Sequence, residues 1–225
     1  MVNAVRPQRA IDAMSSLIEG APSVYVPGGA RITGGRADAF VRIDWAEHQR
    51  RQRTGLSGAG LKAMTQLWVL DLLMNLPLGE PVAAESLSSD EQWVLARMPA
   101  GALDRDGRWV IRRCRPVAEI TAVVAWGRHL PAVLRQVAPF TRVAQRMAVL
   151  DRMPADFDDI AWQARYQGTG VWAATGDEVT ELVAAEPVRH RYYKPARWKA
   201  NEYAYRAWLT AAAPEPVPSS RGCRA

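Results

Sequence analysis

The sequence predicts an α/β protein: a mixed sheet flanked by helices, with a small helical module inserted into it. Three features carry that reading. Residues 8–43 place an amphipathic helix before two strand-like stretches. From Arg115 onward, strand-like and helix-like segments alternate, the order that yields parallel pairing. Between these parts, over residues 55–112, helices run in succession into a turn and a strand. With 225 residues, 48% of them hydrophobic, the chain is long enough for one good-sized domain or for a core with a small inserted domain.

The first helix is expected over Gln8–Ile18, with Ile11, Met14, Ser15 and Ile18 on one face and Gly20 and Pro22 as its stop. Strands at 23–26 and 37–43 are joined by the glycine-rich stretch 27–35. That stretch lacks Gly-Lys-Ser/Thr and opens no helix, so it is not a phosphate loop. Residues 44–58 are polar and rich in Arg and Gln, and read as a linker with some helix. A strongly apolar helix follows over 61–76, then a short helix near 82–87 and another over 90–98. Ser88 and Glu91 have the capping-box spacing that starts this last helix. A turn at Asp106-Gly107 and a strand at 108–112 complete the module. Helices followed by a turn and a strand is the order of a winged helix-turn-helix, and equally that of a helical packing module.

In the second half the predicted elements are a strand at 119–126, a helix at 130–137, a strand at 147–150 and a helix at 156–166. Strands at 170–174 and 179–184 follow, and a last helix at 195–209 begins with Pro195 in its first turn. Residues 214–225 read as a disordered tail. The implied domains are 1–54 and 115–212 as two parts of one core, 55–114 as the insertion, and 213–225 as the tail. Trp68, Trp93, Trp109, Trp126, Trp162 and Trp172 lie in apolar patterns and are expected in the core.

The net charge is +6, and only three of the 29 basic residues are lysines (Lys62, Lys194, Lys199). Such arginine bias fits a high-GC, actinobacterial genome as well as it fits selection for an anionic partner. The placement of the charge is more informative. Residues 105–115 hold five basic residues and one acid, and residues 189–206 hold six and one. Charge gathered in patches is what a phosphate backbone uses. The two cysteines, Cys114 and Cys223, have neither a disulfide framework nor zinc spacing, which points to a reducing compartment. No apolar run approaches the roughly 20 residues of a membrane span, and residues 1–10 are followed by no apolar signal region. A cytoplasmic location is expected, with no membrane partner and no cofactor.

Several stretches together resemble the PD-(D/E)xK nuclease-like superfamily, in members with a winged helix inserted in a restriction-endonuclease-like core. Ala122–Trp126 matches the strand that bears Glu-x-Lys in that family. Residues 132–136 and 140–145 match the segment after it, 156–186 the closing helix and hairpin, and Gly35–Ala39 the strand with the first metal-binding aspartate. The resemblance implies Asp38, and Glu19 at the end of the first helix, as residual metal ligands. In such enzymes two carboxylates hold Mg²⁺ and a lysine assists the attacking water. Here the Glu-x-Lys positions are Val124 and Trp126, which do neither job. Arg128 supplies charge but stays protonated. Glu119, five residues before Val124, is expected on the opposite face by the period of two. The alternative for Asp38 is an ordinary polar residue at a strand end.

The remaining candidates are cationic and aromatic. Arg189, Arg191, Tyr192, Tyr193, Lys194, Arg197 and Lys199 interleave charge with rings, as a nucleic-acid surface does. The other reading of this stretch is a solvated face docked by Trp198, Tyr205 and Trp208. Arg97, Arg108, Arg112 and Arg113 are the candidates in the inserted module. His48, His129 and His190 sit in no spacing that marks a catalytic or metal site, and are expected to be satisfied or surface histidines. The function expected is a non-catalytic, double-stranded-DNA-binding regulator or accessory factor of a mobile or defence element, with a homodimer or protein partner possible. The alternatives are a metal-dependent nuclease with a displaced site and a protein-interaction adaptor.

Overall fold

The computed structural model describes residues 8–18, 23–155, 157–175, 178–188 and 194–212. The tail, the turn at 176–177 and the candidates Glu19, Arg189, His190, Arg191, Tyr192 and Tyr193 lie outside them. In chain order the elements are α1 (Gln8–Leu17), β1 (Val24–Ile32), β2 (Gly35–Ile43), α2 (Trp45–Arg53), α3 (Leu67–Asn75), β3 (Pro81–Ala83) and α4 (Ser89–Leu95). They continue with β4 (Leu103–Asp106), β5 (Trp109–Arg112), β6 (Ala118–Gly127), α5 (Leu130–Val137), β7 (Gln145–Leu150), α6 (Phe157–Gln167), β8 (Gly170–Thr175), β9 (Glu178–Val183) and α7 (Pro195–Ala212).

The main sheet is mixed and has six strands in the order β1-β2-β6-β7-β8-β9. Its β6–β7 and β7–β8 pairs are parallel, bridged by α5 and α6, and the remaining pairs are antiparallel. One face packs against α5, α6 and α7, in a cluster that includes Val41, Ile120, Val123, Leu134 and Tyr205. The other face carries Phe40, Ala122, Val124, Met147 and Trp172, and α1 covers it with Ala10, Ile11, Met14 and Ile18. The helical spacing of those α1 residues is why this short helix lies flat on the sheet.

The inserted module has its own three-stranded antiparallel sheet, β3-β5-β4. Leu72, Leu76, Val94, Leu95 and Val110 pack α3 and α4 on it. Ser88 and Glu91 form the expected capping box at the start of α4. The apolar run read as one helix breaks at Gln66 into a 3₁₀ segment, Ala59–Thr65, and α3. Near 82–87 the chain forms β3 and a 3₁₀ turn in place of a helix, and β4 is a strand that the alternation does not announce. Trp198 of α7, fully buried, joins Leu56, Met64, Leu70 and Leu73 and ties the module to the main body.

Two further stretches are more structured than expected. The β1–β2 hairpin includes the glycine-rich stretch, with a register shift between Val26 and Ala30 and a turn at Thr33-Gly34. Gly28 and Gly34, at φ 60 and 83, supply the left-handed backbone these features need. Of residues 44–58, read as a linker with some helix, 45–53 form α2, capped by Asp44, whose side chain accepts from the Glu47 N–H at 3.0 Å. Glu47, His48 and Arg51 of this polar helix are buried. Arg51, with no exposed surface, donates to Glu47 at 2.9 Å, to Glu202 at 2.7 and 2.8 Å, and to the Arg115 carbonyl at 2.8 Å. The Trp198 indole N–H completes Glu202 at 2.8 Å. A buried charge survives where opposite charges and hydrogen bonds surround it, and these do so while pinning α2 to α7.

Candidate functional site

Asp38 lies on β2 directly opposite Val124 of β6. Its carboxylate is already engaged. Tyr25 Oη donates to one oxygen at 2.5 Å and the Gly28 N–H to the other at 2.7 Å. Gly28 sits in the β1 irregularity, where backbone donors leave the ladder. Asp38 therefore clamps a bulge. Val124 is fully buried under α1, and Trp126, half-buried, packs against the same cluster.

Glu119 corrects the expectation from strand alternation. Phe40 pairs with Ala122 but Val41 pairs with Ile120, so Thr121 is an extra residue in β6. Such a bulge resets the period of two. Glu119 consequently shares the face of Asp38 and Val124, opposite Arg42. It still stands four residues along the sheet from Asp38, roughly 13 Å at ~3.3 Å per residue, too far for two oxygens to share one ion. Its carboxylate is held by Arg42 and, at 2.8 Å, by Arg197. Among the described residues no three His, Cys, Asp or Glu side chains gather where they could hold a metal.

Most of the basic stretch 105–115 is committed to the fold. Arg105 donates to the Leu95 carbonyl at 2.5 Å, Arg113 pairs with Asp104 at 2.6 Å, and Arg115 pairs with Asp44 at 2.8 Å. Arg112 turns inward, donating to the carbonyls of Cys114 and Leu76 and lying 5.0 Å from the Trp198 ring. Arg108 stays exposed beside Trp109. Arg97 stacks 3.9 Å above Trp93, which meets Trp68 edge to face. Trp68, Trp93, Trp109 and Trp162 are exposed, not in the core, while Trp172 is buried. The exposed start of α4 bears Asp90 and Glu91. The Ser88 backbone N–H, then its hydroxyl, hold the Glu91 carboxyl below its ordinary value, so it is anionic. That turn repels phosphate.

The remaining cations converge elsewhere. A cleft of about 1230 Å³ opens between the β1–β2 turn, the segment 141–143 before β7, and the first half of α7. Arg31, Arg142, Lys194, Arg197 and Lys199 line it, and no acid is among its described lining residues. Arg197 is fixed by Glu119. Arg31 and Lys199 lie 5.6 and 5.9 Å from the Tyr203 ring, which spaces them along the wall. Arg31, Arg142, Lys194 and Lys199 make no ion pair among the described residues. Their charge faces solvent, as an anion-binding surface requires.

Comparison with known protein families, with curated proteins and with solved structures finds no match for this chain.

Of the sequence candidates, Lys194, Arg197 and Lys199 share the cleft, while Arg97, Arg108, Arg112 and Arg113 belong to the inserted module and do not join them. Sequence reasoning missed Arg31 and Arg142. Each is an isolated arginine in its own segment, and only the hairpin and the β7 approach bring them to α7. His48 is the satisfied histidine expected, its Nδ1 2.8 Å from Tyr205 Oη, with burial lowering its pKa, and His129 is exposed. Among the described residues no helix is long and apolar enough to cross a membrane.

Proposed function

We propose that this chain is a non-catalytic DNA-binding protein whose phosphate contacts lie in the cleft between the β1–β2 turn and α7. The observation that carries the reading is five cations around one cleft with no described acid in its wall. Cations fixed beforehand by an aromatic spacer and an ion pair lose little freedom when they meet phosphates. Duplex DNA is the partner, and a regulator or accessory factor of a mobile or defence element, acting in the cytoplasm, is the role this implies.

The nuclease-like resemblance fits this picture as a scaffold. A mixed sheet whose parallel pair is bridged by α5 supports a restriction-endonuclease-like core, and the β3-β5-β4 sheet with α3 and α4 supports a winged-helix insertion. Val124 and Trp126 at the Glu-x-Lys positions, and Asp38 acting as a bulge clamp, support the loss of cleavage. The acidic start of α4 argues that the insertion does not read the groove with that helix.

Fluorescence anisotropy of a labelled duplex at several salt concentrations tests the reading. Binding should weaken steeply with salt, with a log–log slope near −0.9 per phosphate neutralised, and Mg²⁺ should leave the DNA intact on a gel. Absence of binding at low salt would favour a second reading, a protein-interaction adaptor. The exposed, mutually packed Trp68 and Trp93 are what supports it.

A further inference from the structure

The basic cleft holds more than charge. Alongside its cations, Ile32, Leu67, Val143 and Val188 line the same wall. Ile32, Val143 and Val188 are half-buried, and Leu67, at the start of α3, is 46% exposed. Phosphates are met by charged and hydrogen-bonding groups, so a DNA backbone leaves this aliphatic surface unused. Apolar surface that water still reaches favours a ligand that covers it.

The chemistry of the wall narrows that ligand. Its described residues include no carboxylate and no side-chain amide, the acceptors that hold the amino groups of a base or a peptide. Its described ring is Tyr203, with Arg31 and Lys199 beside it. Aliphatic side chains make up the rest of its apolar surface. Cations beside aliphatic surface match an anionic head on a hydrocarbon chain. Pockets for small ligands measure roughly 300–1,000 Å³. At about 1230 Å³ this cleft has room for a long chain.

We infer that the cleft binds a single-chain aliphatic anion, a long-chain carboxylate, and that this ligand displaces DNA from it. A carboxylate head makes charge-assisted hydrogen bonds to arginine and lysine. The chain is sheltered from water against side chains such as Leu67 and Val143. The cations that the head neutralises are those a phosphate backbone uses, so one ligand excludes the other. The displacement rests on the DNA-binding reading above; the binding of the carboxylate does not.

The probe is sodium oleate, kept below its micelle concentration and titrated calorimetrically into the full chain. A saturable one-to-one complex is expected. Leu67→Gln should weaken it at least about fivefold, the worth of part of a leucine's burial. Leu67→Met, which keeps an apolar side chain of similar volume, should bind oleate as the wild type does. In anisotropy, oleate should release a labelled duplex, and butyrate at the same concentration should not. Absence of oleate binding, or unsaturable uptake of several oleates per chain, would overturn the inference and leave the DNA reading standing. So would Leu67→Gln binding oleate as tightly as the wild type, or butyrate releasing the duplex as well as oleate does. Binding to phosphatidylglycerol vesicles without binding of monomeric oleate would overturn it in favour of a membrane surface. A one-to-one oleate complex in a protein that binds no duplex at low salt would uphold the ligand site and overturn the DNA reading.

Discussion

Asp38 and Val124 are register partners across the β2–β6 pair, one clamping a bulge and the other sealed beneath α1. Val124, the position to which the nuclease-like resemblance would assign a second carboxylate, is part of the hydrophobic core.

Placing a carboxylate at Val124 should cost stability without conferring cleavage. Val124→Glu puts a charge beside Asp38 at a fully buried position within an apolar cluster. An unfolding free energy lower by roughly 3 kcal/mol or more is expected in urea, with no Mg²⁺-dependent cleavage of plasmid DNA.

Asp38→Ala frees the Gly28 N–H and the Tyr25 hydroxyl at once. The expected loss is about 1–3 kcal/mol of stability, measured by urea denaturation. Millimolar Mg²⁺ should leave the melting temperature of the wild-type protein unchanged, because among the described residues no three metal-ligating side chains gather and Glu119 stands four residues along the sheet from Asp38.

Arg51→Met should be among the most damaging single changes. It removes the one side chain that bonds both Glu47 and Glu202, and it leaves Glu202 buried without an ion-pair partner among the described residues, while Glu47 keeps Arg50. A loss of about 3–5 kcal/mol is expected. The double variant that also carries Glu202→Leu should recover part of it, since the stranded charge is then gone.

These buried charges mark the limit of what the sequence discloses. Helix α1 and the run β6–α5–β7 were legible because their apolar residues repeat at 3.6 or run continuously. The stretch of α2 reads only as a linker with some helix, since its buried residues are Glu47, His48 and Arg51, and their partner Glu202 lies 151 positions from Arg51. The face of Glu119 was misread because the Thr121 bulge leaves no trace in residue type. Lys194, Arg197 and Lys199 were found from local charge density. Arg31 and Arg142 were not, because the cleft that gathers them exists only in the fold. The exposed tryptophans were taken for core because apolar character alone does not say which face of a short element is covered.

Alkaline pH should destabilise the protein between about 9 and about 12. In the unfolded chain the Cys114 thiol ionises near 9.0 and the Tyr205 phenol near 10.0, whereas burial pushes both up to about 12 in the fold. Over that window the unfolded chain releases protons that the fold retains, so stability falls as pH rises. Below pH 9 the two groups are protonated in both states and contribute no slope. Urea midpoints measured against pH should show the decline, and Cys114→Ala should make it shallower.

On the proposed reading, DNA is held in the cleft and not by the inserted module. The direct test is the salt dependence of duplex binding for the wild type, for a cleft variant (Arg142→Gln with Lys199→Gln) and for a module variant (Arg97→Gln with Arg108→Gln). The cleft variant should bind more weakly at every salt concentration, with a log–log slope shallower by roughly 0.9 per lost phosphate contact, while the module variant keeps the wild-type slope. An unchanged slope in the cleft variant, or the loss of slope in the module variant instead, would contradict the account.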